Sequence, residues 1–190
     1  MKGLRRSLRN LYQALEAGSL AGSGTLRNLG IGAARQSLLI FEDRAFPLTD
    51  EAGVVAFAGA KVFDFPEGLI LFQGAVANLA LTKSSAGVND DWDGDFGLGT
   101  VTASNNATLA ATEQNLIPTT PTPQAVSGAT TAKGLSTASE SGILLDGTTT
   151  PADVFLNFLV DDADHDVTGT PCNLIVNGTL RLYWQLLGDI

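Results

Sequence analysis

Residues 53–82, GVVAFAGAKVFDFPEGLILFQGAVANLALT, are almost free of charge and predict two long strands joined by a turn at Pro66-Glu67-Gly68. Alternation places two apolar sets on opposite sides of each strand. A strand that is apolar on both sides lies between two layers, or between one layer and a neighbouring subunit. These residues therefore predict the core. The predicted faces are Val55, Phe57, Phe63 and Phe65 against Val54, Ala56, Ala58, Ala60 and Val62, then Leu69, Leu71, Leu79 and Leu81 against Ile70, Phe72 and Val76.

Length and composition limit the class of protein. The chain has 190 residues, which is the size of one domain with or without an arm. Its single cysteine, Cys172, excludes an internal disulfide and a zinc site built from cysteines, and is expected in the core. No apolar run reaches the roughly 18 residues of a membrane helix, and the basic N-terminus lacks the apolar segment of a secretory signal.

Charge is divided unevenly along the chain. Residues 1–35 hold six basic residues and one acidic residue, a net charge of +5, whereas residues 36–190 hold five basic and nineteen acidic residues, a net charge of −14. Such an arm is expected to meet a negatively charged surface, while the body would repel nucleic acid and anionic lipid. The alternative is a basic tail that only improves solubility.

The N-terminal segment has helical periodicity. Residues 2–17 predict an amphipathic helix that could lie on a membrane, pack on a partner or bundle with its own copies. Gly-rich residues 18–24 predict a flexible linker, and residues 25–50 an extended arm leading into a first strand at 37–41. The body would then span residues 51–190. The helix has an apolar stripe of Leu4, Leu8, Leu11 and Leu15, with Arg5, Arg6 and Arg9 largely off it.

The rest of the body predicts further strands and one helix. Strands are predicted at 98–103, 142–145 and 153–160, and a helix at 107–117 that is capped by Asn105 or Asn106. A closing hairpin is predicted from 174–177 and 179–187, with its turn at Asn177-Gly178. About eight antiparallel strands indicate a mainly β fold, a jelly-roll-like sandwich. Inward positions are Val154, Leu156, Phe158 and Val160, then Leu174, Val176, Leu180, Leu182, Trp184 and Leu186; Asn177, Thr179, Arg181, Tyr183 and Gln185 lie on the opposite side.

Two acidic segments are candidate cation sites. The first, residues 90–95, has Thr100 where a calcium-binding EF-hand loop needs Glu, so an EF-hand is excluded. A solvated acidic turn over Trp92 is the favoured interpretation, and a looser calcium site is the alternative. The second, residues 161–166, contains the only histidine, His165. If the two segments meet, they predict a shared calcium site from Asp91, Asp93, Asp95, Asp162 and Asp164.

Signatures of catalysis are missing from the sequence. There is no G-x-S-x-G nucleophile turn, no second histidine for a metal site and no glycine-rich phosphate loop before a helix. We therefore expect a protein that is not an enzyme and needs no cofactor other than calcium in the alternative above.

Three passages resemble structural proteins of marine tailed-bacteriophage virions. They are DDWDGDFGLGTVTASNNATLAATEQNLIPTTPTPQAVSGATTAKG, GILLDGTTTPADVFLNFLVDDADHD and NLIVNGTLRLYWQLLGD, and the resemblance covers roughly residues 50–190. It is closest to capsid decoration, or cement, proteins. It implies a β-sandwich on the capsid exterior, commonly a trimer, that binds the major capsid protein and stabilises the head without catalysis.

Together, the resemblance and the residue pattern predict two contact surfaces. The arm residues Leu4, Arg5, Arg6, Leu8, Arg9, Leu11 and Leu15 would dock on an acidic capsid surface or bundle about a threefold axis. The subunit interface would use Val55, Phe57, Phe63 and Phe72. Two alternatives stay open: a calcium-dependent receptor- or glycan-binding module on a tail fibre or spike, and a jelly-roll shell protein.

Overall fold

The computed structural model of the chain describes residues 19–20, 22, 24–29, 34–51, 55–104, 108–161 and 167–188. The predicted arm helix, Asn105, Asn106, Asp162 and Asp164 lie outside these residues.

The described residues form twelve strands in two six-stranded antiparallel sheets. Sheet A has the order β1-β5-β11-β7-β8, with β4 also paired to β5, and sheet B has the order β10-β6-β12-β3-β2, with β9 also paired to β6. The expectation of a mainly β, antiparallel fold is confirmed. The strands are β1 Ser19–Leu20, β2 Thr25–Leu29, β3 Ala34–Pro47, β4 Thr49–Glu51, β5 Val55–Asp64, β6 Gly68–Lys83, β7 Asp93–Gly99, β8 Ile117–Thr122, β9 Ala129–Leu135, β10 Ile143–Gly147, β11 Asp153–Asp161 and β12 Asn173–Gly188.

One core joins the inner faces of the two sheets. Phe46 of β3 meets Phe158 of β11 edge to face, with ring centroids 5.2 Å apart. Phe65 meets Trp184 of β12 in the same way at 5.5 Å. The inward positions predicted for β11 and for the residue 174–186 segment are confirmed, because all of them pack in or against this core.

Bulges in β5 and β6 overturn the predicted faces of the first two strands. In β5, Val154 pairs with Phe63 but Phe155 pairs with Lys61, so the inward set changes from even to odd numbers at Val62. Phe57 therefore lies on the opposite side from Phe63, and the face predicted to hold both was wrong.

The bulge in β6 lies at Gln73, because Tyr183 pairs with Gly74 and Trp184 with Phe72. The inward residues of β6 are even-numbered before Gln73 and odd-numbered after it. Leu69 and Leu71 consequently turn outward, away from Leu79 and Leu81, so this predicted face was also wrong.

The predicted hairpin at Asn177-Gly178 was wrong as well. β12 runs unbroken through these residues, and the irregularity lies in the partner strand β3, where Val176 faces Arg44 and Gly178 faces Phe41. Asp43 takes a left-handed conformation there, with φ of 49°. The Asn177 amide stabilises the bulge by accepting a hydrogen bond from the Asp43 backbone N–H and donating one to its carboxylate, each at 2.9 Å.

The helix predicted at 107–117 was wrong too. The described part of this range contains only a 3-10 turn, Ala111–Glu113, and Ile117 already begins β8. The buried Glu113 carboxylate explains the departure from helix. It accepts hydrogen bonds from the backbone N–H groups of Ser104 and Ala110 and from the Ser104 hydroxyl, which draws the chain into a compact loop.

We name residues 100–104 and 108–116 the cover segment because they lie over the outer face of sheet A. Its Ala103 and Leu109 form a small apolar cluster with Leu159 and Phe57. Asn157 of β11 is fully buried beneath it and makes three hydrogen bonds. Its Oδ1 accepts from Ala103 N at 2.7 Å, and its Nδ2 donates to Val101 O at 2.9 Å and Glu113 O at 2.7 Å. The second apolar face of β5 is thus covered from within the chain.

The substitution Asn157→Asp tests this attachment. It keeps the shape but replaces two donated hydrogen bonds with a carboxylate facing two carbonyl oxygens, so we expect a loss of about 3 kcal/mol in the free energy of unfolding. Urea denaturation measures the loss. Asn78→Asp, at an exposed position of β6, is the matched control and should change stability by less than about 0.5 kcal/mol. Equal effects of the two substitutions would contradict the role of Asn157.

The N-terminal strands cross from one sheet to the other. Ser19 and Leu20 pair with Asp64 and Phe63 of β5 in sheet A, whereas β2 pairs with β3 in sheet B. The structure therefore places parts of the predicted linker and extended arm within the two sheets, so that described strands of the sandwich precede residue 51.

Arg44 lies beneath this crossing. Its guanidinium carbon lies 5.7 Å from the ring centroid of Phe41 and 5.2 Å from that of Phe46, and its Nη2 donates to Lys61 O at 2.6 Å. A Cβ at Gly22 would lie only 2.7 Å from Nη2. Burial lowers the pKa of Arg44, and the two rings and the carbonyl offset the cost of that burial.

The substitution Arg44→Met keeps the side-chain volume but removes the charged donor and leaves the Lys61 carbonyl without it. We expect a loss of about 2 kcal/mol in the free energy of unfolding, measured by urea denaturation. Arg27→Met, at an exposed position, is the control and should cost less than about 0.5 kcal/mol. Unchanged or greater stability of Arg44→Met would mean that the cost of burying the guanidinium exceeds the gain from its contacts.

Candidate functional site

The first acidic segment forms a turn above a buried tryptophan, as the favoured interpretation predicted. Trp92 is 2% exposed, and its Nε1 donates to Gly128 O at 3.3 Å. Asp91 is exposed in the turn, and Asp93 begins β7. Asp90 forms a salt bridge with Lys83 at 2.8 Å.

Asp161, the described residue of the second acidic segment, lies beside the first segment on the outer face of sheet A. Asp93 lies opposite Asp161 in the β7–β11 pair, and Asp95 lies one outward position further along β7. Burial raises the pKa of the Asp95 carboxyl, and the carboxylates of Asp161 and Asp93 raise it further. We name Asp93, Asp95 and Asp161 the acidic end.

The acidic end is not arranged as a metal centre. Across the described residues, no group of three His, Cys, Asp or Glu side chains is placed to hold a metal ion. Of the predicted calcium ligands, Asp91, Asp93 and Asp95 belong to this region of the surface, and Asp162 and Asp164 lie outside the described residues.

The side chains predicted for the subunit interface are enclosed by their own chain. Phe63 and Phe72 have no exposed area, and Val55 is 7% exposed. Phe57 packs under the cover segment. The bulges of β5 and β6 and the cover segment account for this enclosure of the four residues predicted for the subunit interface.

The outer face of sheet B is exposed, and we name it the basic face. Its central row runs across five strands through Leu135, Val76, Arg181, Leu38 and Arg27, each paired with the next. The adjacent row runs through Lys133, Asn78, Thr179, Ile40 and Thr25. These two rows hold three cations and no acidic residue.

The other cations of the described residues are engaged elsewhere. Lys61 forms salt bridges with Asp64 at 2.9 Å and Asp153 at 3.4 Å. Lys83 pairs with Asp90, Arg44 is buried, and Arg35 is half-buried and already has an interaction partner. Arg27, Lys133 and Arg181 are exposed, and none of them forms a salt bridge to another described residue.

Exposed aliphatic side chains also gather on the basic face. The described residues include six large hydrophobic side chains that are exposed, and four of them lie on the outer side of sheet B. Single exposed aliphatic residues are ordinary, but a group on one sheet face is typical of a protein contact. The four are Val76 at 43%, Leu135 at 63%, Leu144 at 60% and Leu187 at 49% exposure.

An open cleft of about 490 Å³ lies between β10 and the cover segment. Its amides hold the surrounding loops together rather than facing the cleft with free groups. Gln114 bonds to the Leu109 carbonyl and the Thr119 N–H, and Asn115 bonds to Thr100. The cleft lining of Ala111, Gln114, Asn115, Pro118, Ser139, Glu140, Ile143, Leu144 and Leu145 offers no paired nucleophile and base.

Sequence reasoning found one of the three cations of the basic face and missed the other two. Alternation placed Arg181 on the outward side of its strand, and the structure confirms this. Arg27 lies in the segment predicted as an extended arm, and Lys133 lies outside the strands predicted above. The alternation of Thr131, Lys133 and Leu135 around Ala132 was the available signal.

No protein-family model matches the chain, and no curated protein matches it significantly. The described residues contain no helix long and apolar enough to cross a membrane. The function is therefore argued from the surfaces described above.

The substitution Asp95→Asn tests the electrostatics of the acidic end. The folded chain holds the pKa of Asp95 above its ordinary value of 3.8, so ionisation lowers stability at neutral pH, and this stability returns as pH falls through the raised pKa. Asp95→Asn should therefore raise the free energy of unfolding at pH 7 by up to about 1 kcal/mol, given solvent screening. The gain should disappear at acid pH.

Asp91→Asn, in the exposed turn, is the control and should leave stability almost unchanged when both variants are denatured with urea at several pH values. A loss of stability in Asp95→Asn at pH 7 would contradict the electrostatic interpretation. A calcium-dependent rise in the melting temperature of the wild type that Asp95→Asn removes would indicate a cation site.

Proposed function

We propose that the protein is a non-enzymatic structural protein of a phage virion that decorates the capsid exterior and stabilises the head. It is an oligomer, expected to be a trimer, that binds the major capsid protein through its N-terminal arm. In this proposal residues 2–17 form the amphipathic helix, and the two sheets close as a jelly-roll-like sandwich. The resemblance of residues 50–190 to marine phage virion proteins is the basis for proposing that the protein lies on the capsid exterior.

The observation that most supports the proposal is the way the N-terminal segment is anchored. β1 is hydrogen-bonded to sheet A and β2 to sheet B, with Arg44 buried beneath Gly22 between them. Residues 1–18 thus join the sandwich at a strand that is tied to the core. A force on the arm would reach both sheets, as a tethered decoration protein requires.

The charge of the arm fits a protein partner. Four basic residues, Lys2, Arg5, Arg6 and Arg9, accompany one acid, Glu16, in residues 1–18. Leu4, Leu8, Leu11 and Leu15 would supply apolar burial, while the cations guide the approach to an acidic surface.

The calcium-dependent binding module and the shell protein stay secondary. The meeting of Asp93, Asp95 and Asp161 favours the first of them, but these carboxylates do not form a metal centre within the described residues. Repeating the light-scattering measurement below with a chelator distinguishes this alternative from decoration.

Deletion of residues 1–18 is the direct test. The deletion ends at residue 18, because removing the whole predicted linker through residue 24 would also remove β1. The heads come from a phage that encodes the chain and are prepared so that they lack this protein. We expect the affinity of the shortened protein for these heads to fall by at least about a hundredfold, since the arm carries the contact. Co-sedimentation with the heads measures this, and a melting curve within a few degrees of the wild type shows that the sandwich is intact.

Two further measurements complete the test. Light scattering of the full chain should give about three times 19.7 kDa, unchanged by chelator. Attachment of the shortened protein at full strength would contradict the arm as the contact. Failure of the full chain to bind the heads would overturn the decoration function, and an oligomer that dissociates in chelator would favour the calcium-dependent module.

A further inference from the structure

We infer that the protein associates with a second copy of itself by placing its basic face against the acidic end of the neighbouring chain. The inference rests on the proposed oligomeric decoration function, which it deepens by naming the two surfaces. Their charges are opposite, and both lie on the described fold.

A trimer requires two different surfaces on each chain. Rotational symmetry of order three cannot be built from a patch that meets its own copy, so each interface must join unlike surfaces. The predicted apolar interface is enclosed within the chain, as shown above. The two rows of the basic face and the acidic end are exposed surfaces of opposite charge.

Charge complementarity selects the occupant. The basic face presents the cations Arg27, Lys133 and Arg181 without a salt bridge to any described residue. The acidic end presents three carboxylates, and the pKa of Asp95 is raised by burial and then by the neighbouring carboxylates of Asp161 and Asp93. Approach of cations would relieve the repulsion among these carboxylates, and it would give the cations the partners that their own chain does not supply.

Aliphatic side chains on the basic face add apolar burial. Val76 and Leu135 are paired beside Arg181, on the side of the face that ends at the edge strand β9, and both are exposed. Apolar contact together with charged pairs is the usual composition of a protein interface.

Other occupants fit less well. Two basic faces cannot meet, because Arg181 and Lys133 would oppose the same cations of the partner. Nucleic acid would be repelled by residues 36–190, with a net charge of −14, and would leave the aliphatic row without an apolar partner.

Charge reversal and charge exchange in the full-length chain test the inference. Variant one carries Arg27→Glu, Lys133→Glu and Arg181→Glu, and variant two carries Asp93→Lys and Asp161→Lys. Each should raise the concentration needed for assembly at least about tenfold at 50 mM salt, as measured by light scattering. A third variant with both sets should recover assembly, because each altered surface then meets an altered partner of opposite charge.

The controls separate the interface from net charge and from misfolding. Arg27→Gln, Lys133→Gln and Arg181→Gln lower the net charge by three, as do Ser139→Glu, Thr149→Glu and Thr150→Glu at exposed positions outside both surfaces. Only the first set should weaken assembly. Because exposed pairs are screened by salt, wild-type assembly should also weaken at least about tenfold between 50 and 500 mM salt. Melting curves of each variant show that it is folded.

Each outcome bears on one claim. Unchanged assembly of folded variant one or variant two overturns the inference and leaves the decoration function in place. A wild-type protein that is monomeric and still attaches to heads also overturns the inference and leaves the decoration function in place. Binding of the wild type to double-stranded DNA at 50 mM salt, lost in variant one, would overturn the inference in favour of nucleic acid as the occupant.

Discussion

The buried amide of Asn157 is the interaction on which the layering of this protein depends. Sheet A is apolar on both faces along β5 and β11, and only one of these faces can meet sheet B. Three hydrogen bonds from one side chain hold the cover segment over the other face. Gly59 is part of the same arrangement, since a Cβ there would lie 2.6 Å from Asn157 Oδ1 and 2.4 Å from Thr102 Oγ1. A glycine and a buried amide on paired strands thus let an irregular segment serve as a third layer.

The strands could be predicted from the sequence more reliably than their faces. Alternation was sufficient in β11, where the inward residues follow one another without interruption. It failed in β5 and β6 because a single extra residue, Val62 or Gln73, exchanges the two faces of everything beyond it. A bulge is set by the partner strand, and the partner is distant in sequence. The same limit explains Asn177-Gly178, whose pattern is typical of a hairpin although its amide stabilises a bulge in β3.

The candidate surfaces were harder to predict because they are assembled by strand order. Arg27, Arg181 and Lys133 belong to β2, β12 and β9, which are far apart in the chain and become neighbours only through β3 and β6. The acidic end was easier, because each acidic segment was visible as a cluster and a meeting of the two was considered. The raised pKa of Asp95 could not be predicted from the sequence, since it depends on how far the carboxyl is buried and on the position of Asp161.

The placement of the cations explains how a chain with a net negative charge can still associate with its own copies through particular surfaces. Lys61 and Lys83 are in salt bridges within the chain, and Arg44 is used to fasten the N-terminal crossing. The three cations that remain exposed and outside salt bridges in the described residues share one sheet face, while three carboxylates gather on the other sheet. Spread evenly, these charges would only keep the protein soluble. Because they are divided between two sheets, the charges favour contact between unlike surfaces and oppose contact between like surfaces. An assembly with threefold symmetry needs contacts between unlike surfaces.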